Sequence, residues 1–378
     1  MLSTKFGATL EAGRMTRTTA LAVGLVAVLV AACASAATPV PTKAPTAAPT
    51  AGASAAATPK PTNAPPELKT VTVPQFAVSP LMLPTWIAID EGLFAKQGIT
   101  VEIPNVPSSQ MLAGYLSGTF SFGAIGGYNP PNILAAGRKV QVYGNNYAYH
   151  LYDFFVQPET NALSELVGKT VAITGLGGAP HAASLTLLKS VGVDTTKVTF
   201  LRTGGLNEIL AALTSKQVQG GAFGPPQSVQ ALKAGLKRIA RMGPMRLPYP
   251  TVIIGGDPDW VAKNPNTAKA YLRGFIEGVA VLIADKATAN KVLAKRMNLD
   301  ATNAELMDAS YAYAADNVTR PRDMNKVTAA NMTSVAETYI GEGKFDINNA
   351  KMTTDIIGEL EKEGFFDELD AKYKITNP

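Results

Sequence analysis

The chain has 378 residues, long enough for two ordinary domains, with 46% hydrophobic and 17% charged residues. Its net charge is +5, of which Lys5, Arg14 and Arg17 against Glu11 contribute +2; the remaining +3, without a dense basic tract, gives no basis for nucleic-acid binding. Two histidines, His150 and His181, and a single cysteine exclude a Cys/His zinc site and any internal disulfide.

Lys5, Arg14 and Arg17 precede an uncharged apolar run over residues 20–32, the pattern of a signal peptide over residues 1–32. The run falls short of the roughly 20 residues that a membrane span requires. It ends Leu29-Val30-Ala31-Ala32-Cys33, which resembles a bacterial lipobox and makes Cys33 the expected site of lipidation. More than one acyl chain at that position suffices for stable membrane anchoring. Residues 33–66 are rich in Ala, Pro and Thr and lack aromatic side chains, so they read as an extended spacer. About thirty residues at roughly 3.1 Å each reach on the order of 90 Å.

Residues 69–78 alternate and are β-branched, which predicts a strand. Ser79-Pro80 then opens a helix, with serine as N-cap and proline at its first position. Gly98 is expected to end that helical region before a second strand. Ser108 or Ser109 caps a further helix through Leu116, with Met111, Leu112, Tyr115 and Leu116 on one face. Strands are expected over 119–125 and 139–144, running into Gly126-Gly127-Tyr128-Asn129 and Asn145-Asn146-Tyr147. Alternating strands and helices argue for parallel α/β sheets, whose ligands sit outside the carboxyl ends of the strands. Those ends supply Ser79, Gly126, Gly127, Tyr128, Asn146 and Tyr147 as candidate ligand contacts.

Residues 168–183 read strand, glycine turn, helix start. Val171, Ala172 and Ile173 are a short apolar run, Gly175, Gly177 and Gly178 allow a sharp bend, and Pro180 opens a helix. Free N–H groups at such a helix start suit an anion or strong acceptor, so Gly177, Gly178, Ala179 and His181 are candidates for one cleft wall. The alternative is a plain βα connection. A bulky residue at Gly178 is expected to invade the ligand's space and to meet a φ it cannot hold. No Gly-Lys-Ser/Thr follows, and the third glycine is misplaced for a dinucleotide fingerprint. Leu206, Ile209, Leu210 and Leu213 are spaced as a helix face, and residues 216–226 repeat the strand–loop–helix logic with Pro225 in the loop. A strand is expected over 251–254, and helices over 265–284, 287–297, 325–340 and 353–363, with Thr302-Asn303-Ala304-Glu305 as a capping box.

The run 86–102, with its Gly92-Leu93-Phe94 turn, and then Gly114-Tyr115-Leu116-Ser117-Gly118-Thr119-Phe120-Ser121-Phe122-Gly123 resemble the solute-binding proteins of ABC importers. The similar subgroup handles sulfonates, taurine, nitrate and thiamine-pyrimidine precursors. Ser121 stands where that family commonly has an acid. Residues 163–172 resemble its entry into a second lobe, and the loop bearing Pro225 faces the cleft there. The resemblance covers roughly residues 70–235. It implies a two-lobed α/β fold of the periplasmic-binding-protein type II class, each lobe a mainly parallel sheet flanked by helices, with helices at the C-terminus. The first lobe would take residues 67–155 and 250–378, and the second 156–249. Its implied partners are a small-molecule ligand, a permease with its ATPase, and the membrane through the lipid, with a monomeric protein and no cofactor.

Enzymatic motifs are not found: neither Gly-x-Ser-x-Gly nor His-Glu-x-x-His occurs. Asp257 and Asp259 flank Pro258 as a helix cap, and Asp90 and Glu91 diverge on a helix. His181 has no orienting carboxylate beside it in sequence. The fungal pyrimidine synthases resemble this chain in their lobes but carry a cysteine-rich iron motif, which Cys33 alone cannot supply. Binding without turnover is therefore expected, against the alternative of a tethered enzyme or sensor on the same fold. For the ligand, the helix starts favour an anion, with Arg202 near one of them. Trp86, Tyr128 and Tyr147 favour a planar aromatic compound. Both remain open at this point.

Overall fold

Thr70–Thr72, β-branched and half-buried, forms β1 and pairs in parallel with β2, Thr100–Glu102, with Val71 opposite Val101. The structure, a computed structural model, describes residues 64–75, 78–106, 108–324 and 355–375, which all belong to the unit Pro59–Pro378. Cys33, the spacer up to residue 63 and the helix expected over 325–340 lie outside the described residues. Between β1 and β2, Ser79 caps a 3₁₀ turn, Pro80–Met82, that runs into α1, Leu83–Asp90, and then α2, Leu93–Lys96. Gly98 follows with φ +80°, a left-handed position that turns the chain into β2. Next come α3, Ser108–Ser117, β3, Phe122–Gly126, α4, Asn129–Ala135, and β4, Gln141–Tyr149.

The second group begins with β5, Asp153–Val156, and β6, Thr170–Ile173, followed by α5, Ala179–Ser190, and β7, Thr199–Arg202. After these come α6, Leu206–Thr214, β8, Gly220–Phe223, α7, Gln227–Lys233, and β9, Lys237–Arg241. Five strands form one sheet in the order β7-β6-β8-β5-β9, with β6 parallel to β7 and β8, and β5 antiparallel to β8 and β9. Side chains alternate across this sheet. Phe154 and Val171 pack with Leu187 and Leu188 of α5 on one face; Phe155 and Ala172 pack with Ile209 and Leu213 of α6 on the other. Burying such a leucine or isoleucine contributes about 1.5–3 kcal/mol, which is why the apolar spacing of residues 206–213 ends as a helix pressed on the sheet.

The chain returns through the short helix α8, Met242–Met245, into β10, Pro248–Gly256. β10 inserts between β3 and β4, antiparallel to both, so these two strands run in the same direction on either side of it without pairing directly. β4 extends beyond the expected residue 144 to Tyr149, because β10 offers it partners there: Val252 lies opposite Tyr147, and Ile253 opposite Asn145.

The C-terminal helices α9, Pro258–Lys263, α10, Pro265–Ala284, α11, Lys286–Met297, and α12, Ala304–Ala315, are joined by α13, Asp355–Lys362, and α14, Phe365–Tyr373. Asp257 caps α9 through the Asp259 amide, as its spacing implied. α10 is the longest described helix and shares a core with α1, where Trp86, Phe94, Tyr271 and Phe275 are buried. Glu67 accepts from the Asn266 and Thr267 amides at 3.1 and 2.8 Å and closes the first turn of α10. The expected capping box is displaced by one residue. Asn303, not Thr302, caps α12 by accepting from the Leu306 amide at 3.2 Å, because the Thr302 hydroxyl turns back to Asp300. Glu305 pairs instead with Lys233 at 2.9 Å.

Candidate functional site

Two chain passages connect the three-stranded and five-stranded sheets, from β4 to β5 through residues 150–152 and from β9 to β10 through residues 242–247. His150 holds them together. Its amide donates to Leu247 O at 3.0 Å, its ring stacks on Tyr249 at 4.0 Å, and its Nε2 meets Thr186 Oγ1 of α5 at 3.1 Å. Burial pushes its pKa down to about 3, so the imidazole is neutral.

Beside these passages opens a cleft of about 500 Å³. Leu81, Gly126, Tyr128 and Thr251 form one wall, and Tyr152, Thr174, Gly178, Ala179, Pro180 and Leu206 the other. The first wall comes from the Ser79-capped turn, the end of β3 and the return strand. The second comes from the residue before β5, the end of β6 and the starts of α5 and α6. This is the strand-end arrangement at which α/β proteins bind ligands. None of the ten residues carries a charge. The Tyr128 ring lies over Gly126, where a Cβ would stand 2.5 Å from Cε1, and also packs with Ala182 of α5 and with Tyr249. Its hydroxyl donates to Met111 Sδ at 3.6 Å. The Thr251 hydroxyl donates to Tyr149 O at 2.6 Å.

The glycine loop after β6 enters this cleft with the Gly177 and Gly178 amides engaged. Gly177, at φ +79°, donates to His181 Nδ1 at 3.2 Å, and Gly178 donates to Gly175 O at 3.1 Å. Pro180 has no N–H, and the Ala182 amide closes the first helical turn onto Gly178 O at 3.0 Å. The expected backbone strain at Gly178 is corrected by its φ of −76°, which any residue adopts; the left-handed position is Gly177. A Cβ at Gly178 would stand 2.8 Å from Thr174 Oγ1 and 3.2 Å from Gly175 O. His181 packs edge-on against Phe200 at 4.9 Å, and burial, with Arg202 nearby, pushes its pKa down to about 4.

Gly126, Tyr128, Gly178 and Ala179 are thus the sequence candidates that line the cleft. The Ser79 hydroxyl caps the turn that presents Leu81, accepting from its amide at 3.4 Å. Trp86 is buried in the α1–α10 core, and its Nε1 donates to Gln75 Oε1 at 2.8 Å. Gly127 serves a close approach: a Cβ there would stand 1.7 Å from Pro250 O of β10. Asn146 and Tyr147 lie inside β4 rather than in a loop, both fully buried. Pro225 lines a separate groove of about 770 Å³ beside α12 and Tyr313, in which Asp153 pairs with Arg238 at 3.0 Å. Leu81, Tyr152, Thr174, Pro180, Leu206 and Thr251 also line the cleft and are not among the ligand contacts expected from sequence. Thr174 follows the last residue of β6 and was reachable by the strand-end rule. Tyr152 and Thr251 become neighbours only through the insertion of β10.

The two larger sheets, two connecting passages and an intervening cleft define the two-lobed fold of periplasmic binding proteins. The structure matches that of a protein from Bordetella bronchiseptica RB50 with TM-score 0.66 and 17% identity, covering 82% of this chain and 99% of that one. It matches the periplasmic aliphatic sulphonate binding protein SsuA of Escherichia coli with TM-score 0.62 and 20% identity, over 76% of this chain and 93% of that one. The alkanesulfonate-binding protein SsuA of Xanthomonas axonopodis pv. citri, bound to MOPS, gives TM-score 0.63 and 16% identity, over 76% and 99%. In sequence, residues 79–289 match the NMT1/THI5-like family, and with more than half of its length matched the chain belongs to that family. No curated protein matches it in sequence.

Proposed function

We propose that the protein is an extracytoplasmic solute-binding protein, which captures a small organic or inorganic molecule between its lobes and delivers it to an ABC importer. The observation that carries this is the cleft beside the two connecting passages, bounded by strand ends of both sheets. A hinge through residues 150–152 and 242–247 lets the lobes, 67–155 with 250–378 against 156–249, close on the ligand, and the permease reads the closed form. The leader-like N-terminus and Cys33 support lipid anchoring, with residues 34–66 as the tether. Among the described residues no helix is long and apolar enough to cross a membrane.

Binding proceeds without turnover. Among the described residues the lining includes no carboxylate, histidine, cysteine or lysine to pair with the Thr and Tyr hydroxyls as a base. A thermal-shift screen over small anions, sulfonates, aromatic acids and pyrimidines, followed by mass spectrometry of the recovered hit, tests both parts. A compound that raises the melting temperature and is recovered unchanged supports the proposal. Chemical change in proportion to protein sinks the non-catalytic part, and a screen without any stabilising compound sinks the binding part.

A further inference from the structure

We infer that His181 is the positioning residue of the cleft's glycine loop: its bare Nδ1 holds the Gly177 amide, and the loop meets the ligand only while that nitrogen carries no proton. For its effect on affinity the inference rests on the solute-binding proposal. His181 itself does not line the cleft.

The loop and the helix start that follows it supply four of the lining residues, Thr174, Gly178, Ala179 and Pro180. The two ends are anchored. Thr174 O accepts from the Gly204 amide at 3.1 Å, and Pro180 is buried at the start of α5. The middle gains little from packing: Leu176 is 57% exposed, and a Cβ at Gly175 would meet nothing within 4 Å. Gly175, Gly177 and Gly178 also give this backbone more freedom to lose than other residues would. Hydrogen bonds therefore decide its shape. The Gly178 amide closes the turn onto Gly175 O at 3.1 Å, and the Gly177 amide ties the turn to the helix through His181 Nδ1 at 3.2 Å.

His181 is the third residue of α5, a position from which a side chain reaches back to the amides before a helix. Glutamate or glutamine often fills that role. An imidazole fills it only with its proton on Nε2, which leaves Nδ1 a lone pair. Phe200 of β7 meets the ring edge-on at 4.9 Å and fixes its plane. Burial first, and then the Arg202 guanidinium, push the His181 pKa down to about 4. The positive end of α5 disfavours a cation at the same place. Of the elements around the ring, β7 contributes Arg202, the loop carries no charge, and α5 bears its one lysine, Lys189, in its last turn.

Protonation of Nδ1 sets an N–H against the Gly177 N–H and releases the left-handed turn at Gly177, whose φ of +79° directs the chain into Gly178. The neutral ring is the form the fold favours, so the ordered loop is present above the lowered pKa and lost as pH falls through it. A ligand seated on Gly178 and Ala179 shares that dependence, because it binds the ordered loop in preference to the released one.

The test is an NMR titration of the full chain, joined to calorimetry with methanesulfonate, benzenesulfonate and pyrimidine as probes. At pH 7 the ¹⁵N spectrum should show His181 protonated on Nε2 alone, and the Gly177 amide resonance should move with the same midpoint as the ring, near pH 4. His181→Leu removes the acceptor and should weaken, about fivefold or more at pH 7, each probe that the wild type binds. His181→Asn places Oδ1 where Nδ1 stood. It should bind about fivefold tighter than His181→Leu, and its Gly177 amide should not titrate. Wild-type affinity should be about twofold lower at pH 4 than at pH 7, while that of His181→Asn holds. The wild-type titration does not depend on any variant folding. A Gly177 amide indifferent to the ring's titration overturns the inference and leaves the solute-binding proposal standing. So does a proton on Nδ1 at pH 7, or a folded His181→Leu that binds like the wild type. If no probe binds, the solute-binding proposal loses its support, and the titration decides the role of His181 in the loop alone.

Discussion

His150 should make the protein lose stability in mild acid, and removing its ring nitrogens should abolish that part of the loss. The imidazole is 1% exposed, stacked on Tyr249 and bonded to Thr186 Oγ1, and its pKa is pushed down to about 3 from an ordinary value of 6.5. Because the folded pKa is the lower one, the unfolded chain binds the extra proton between those two values, and stability falls as pH falls through that window. At 1.36 kcal/mol per pKa unit, the loss between pH 8 and pH 5 is about 2 kcal/mol, rising to about 4 kcal/mol at pH 3. His150→Phe keeps the stacking surface and removes the titration. It forfeits the bond to Thr186, a pH-independent cost of about 1 kcal/mol. Urea unfolding at pH 8 and pH 5 reads both quantities, with equal m-values as the check on comparability. The variant is expected to start slightly less stable at pH 8 and to lose about 2 kcal/mol less than the wild type at pH 5. Equal losses in the two proteins refute the reasoning: His150 would then be solvated, or protonated with a partner, in the folded state.

Gly178→Val should fold, since φ is −76°, yet weaken ligand binding by at least tenfold, about 1.4 kcal/mol, as its methyls enter the space beside Thr174. Calorimetry with the hit from the screen checks it; unchanged affinity in a normally folded variant removes the loop from the site, and Tyr128→Ala gives a second measurement in the opposite wall. Glu67→Ala opens the first turn of α10 and should cost about 1–2 kcal/mol in urea unfolding without changing affinity. Trp86→Phe leaves the Gln75 amide oxygen without its indole donor and should likewise lower stability but not binding, the reverse of what a ligand-stacking Trp86 would give. Cys33→Ser should release the protein from the membrane or block its processing; retention with normal cleavage counts against the anchor.

The sequence by itself determined the elements whose local chemistry is unambiguous. The face Leu206, Ile209, Leu210 and Leu213 became α6, residues 265–284 became α10 from end to end, and the run Val171-Ala172-Ile173 became the centre of β6. In each case a period of 3.6 or a short apolar run flanked by glycine or proline admits one regular structure. Of the cleft lining, Gly126, Tyr128, Gly178 and Ala179 were legible because strand ends and helix starts are themselves local features. What sequence could not settle was which surfaces meet. The apolar character of Trp86 and Tyr147 marks burial but not its location, and both went into the core of their own side. The pairing of Val252 with Tyr147, over a hundred residues apart, decides that β4 is long and that Asn146 lies within it. The same insertion brings Thr251 beside Tyr149, and only the folded loop commits the Gly177 and Gly178 amides. Periodicity records how much of an element is buried. The partner of each donor is fixed by long-range packing, and for this cleft that choice sets the chemistry the ligand meets.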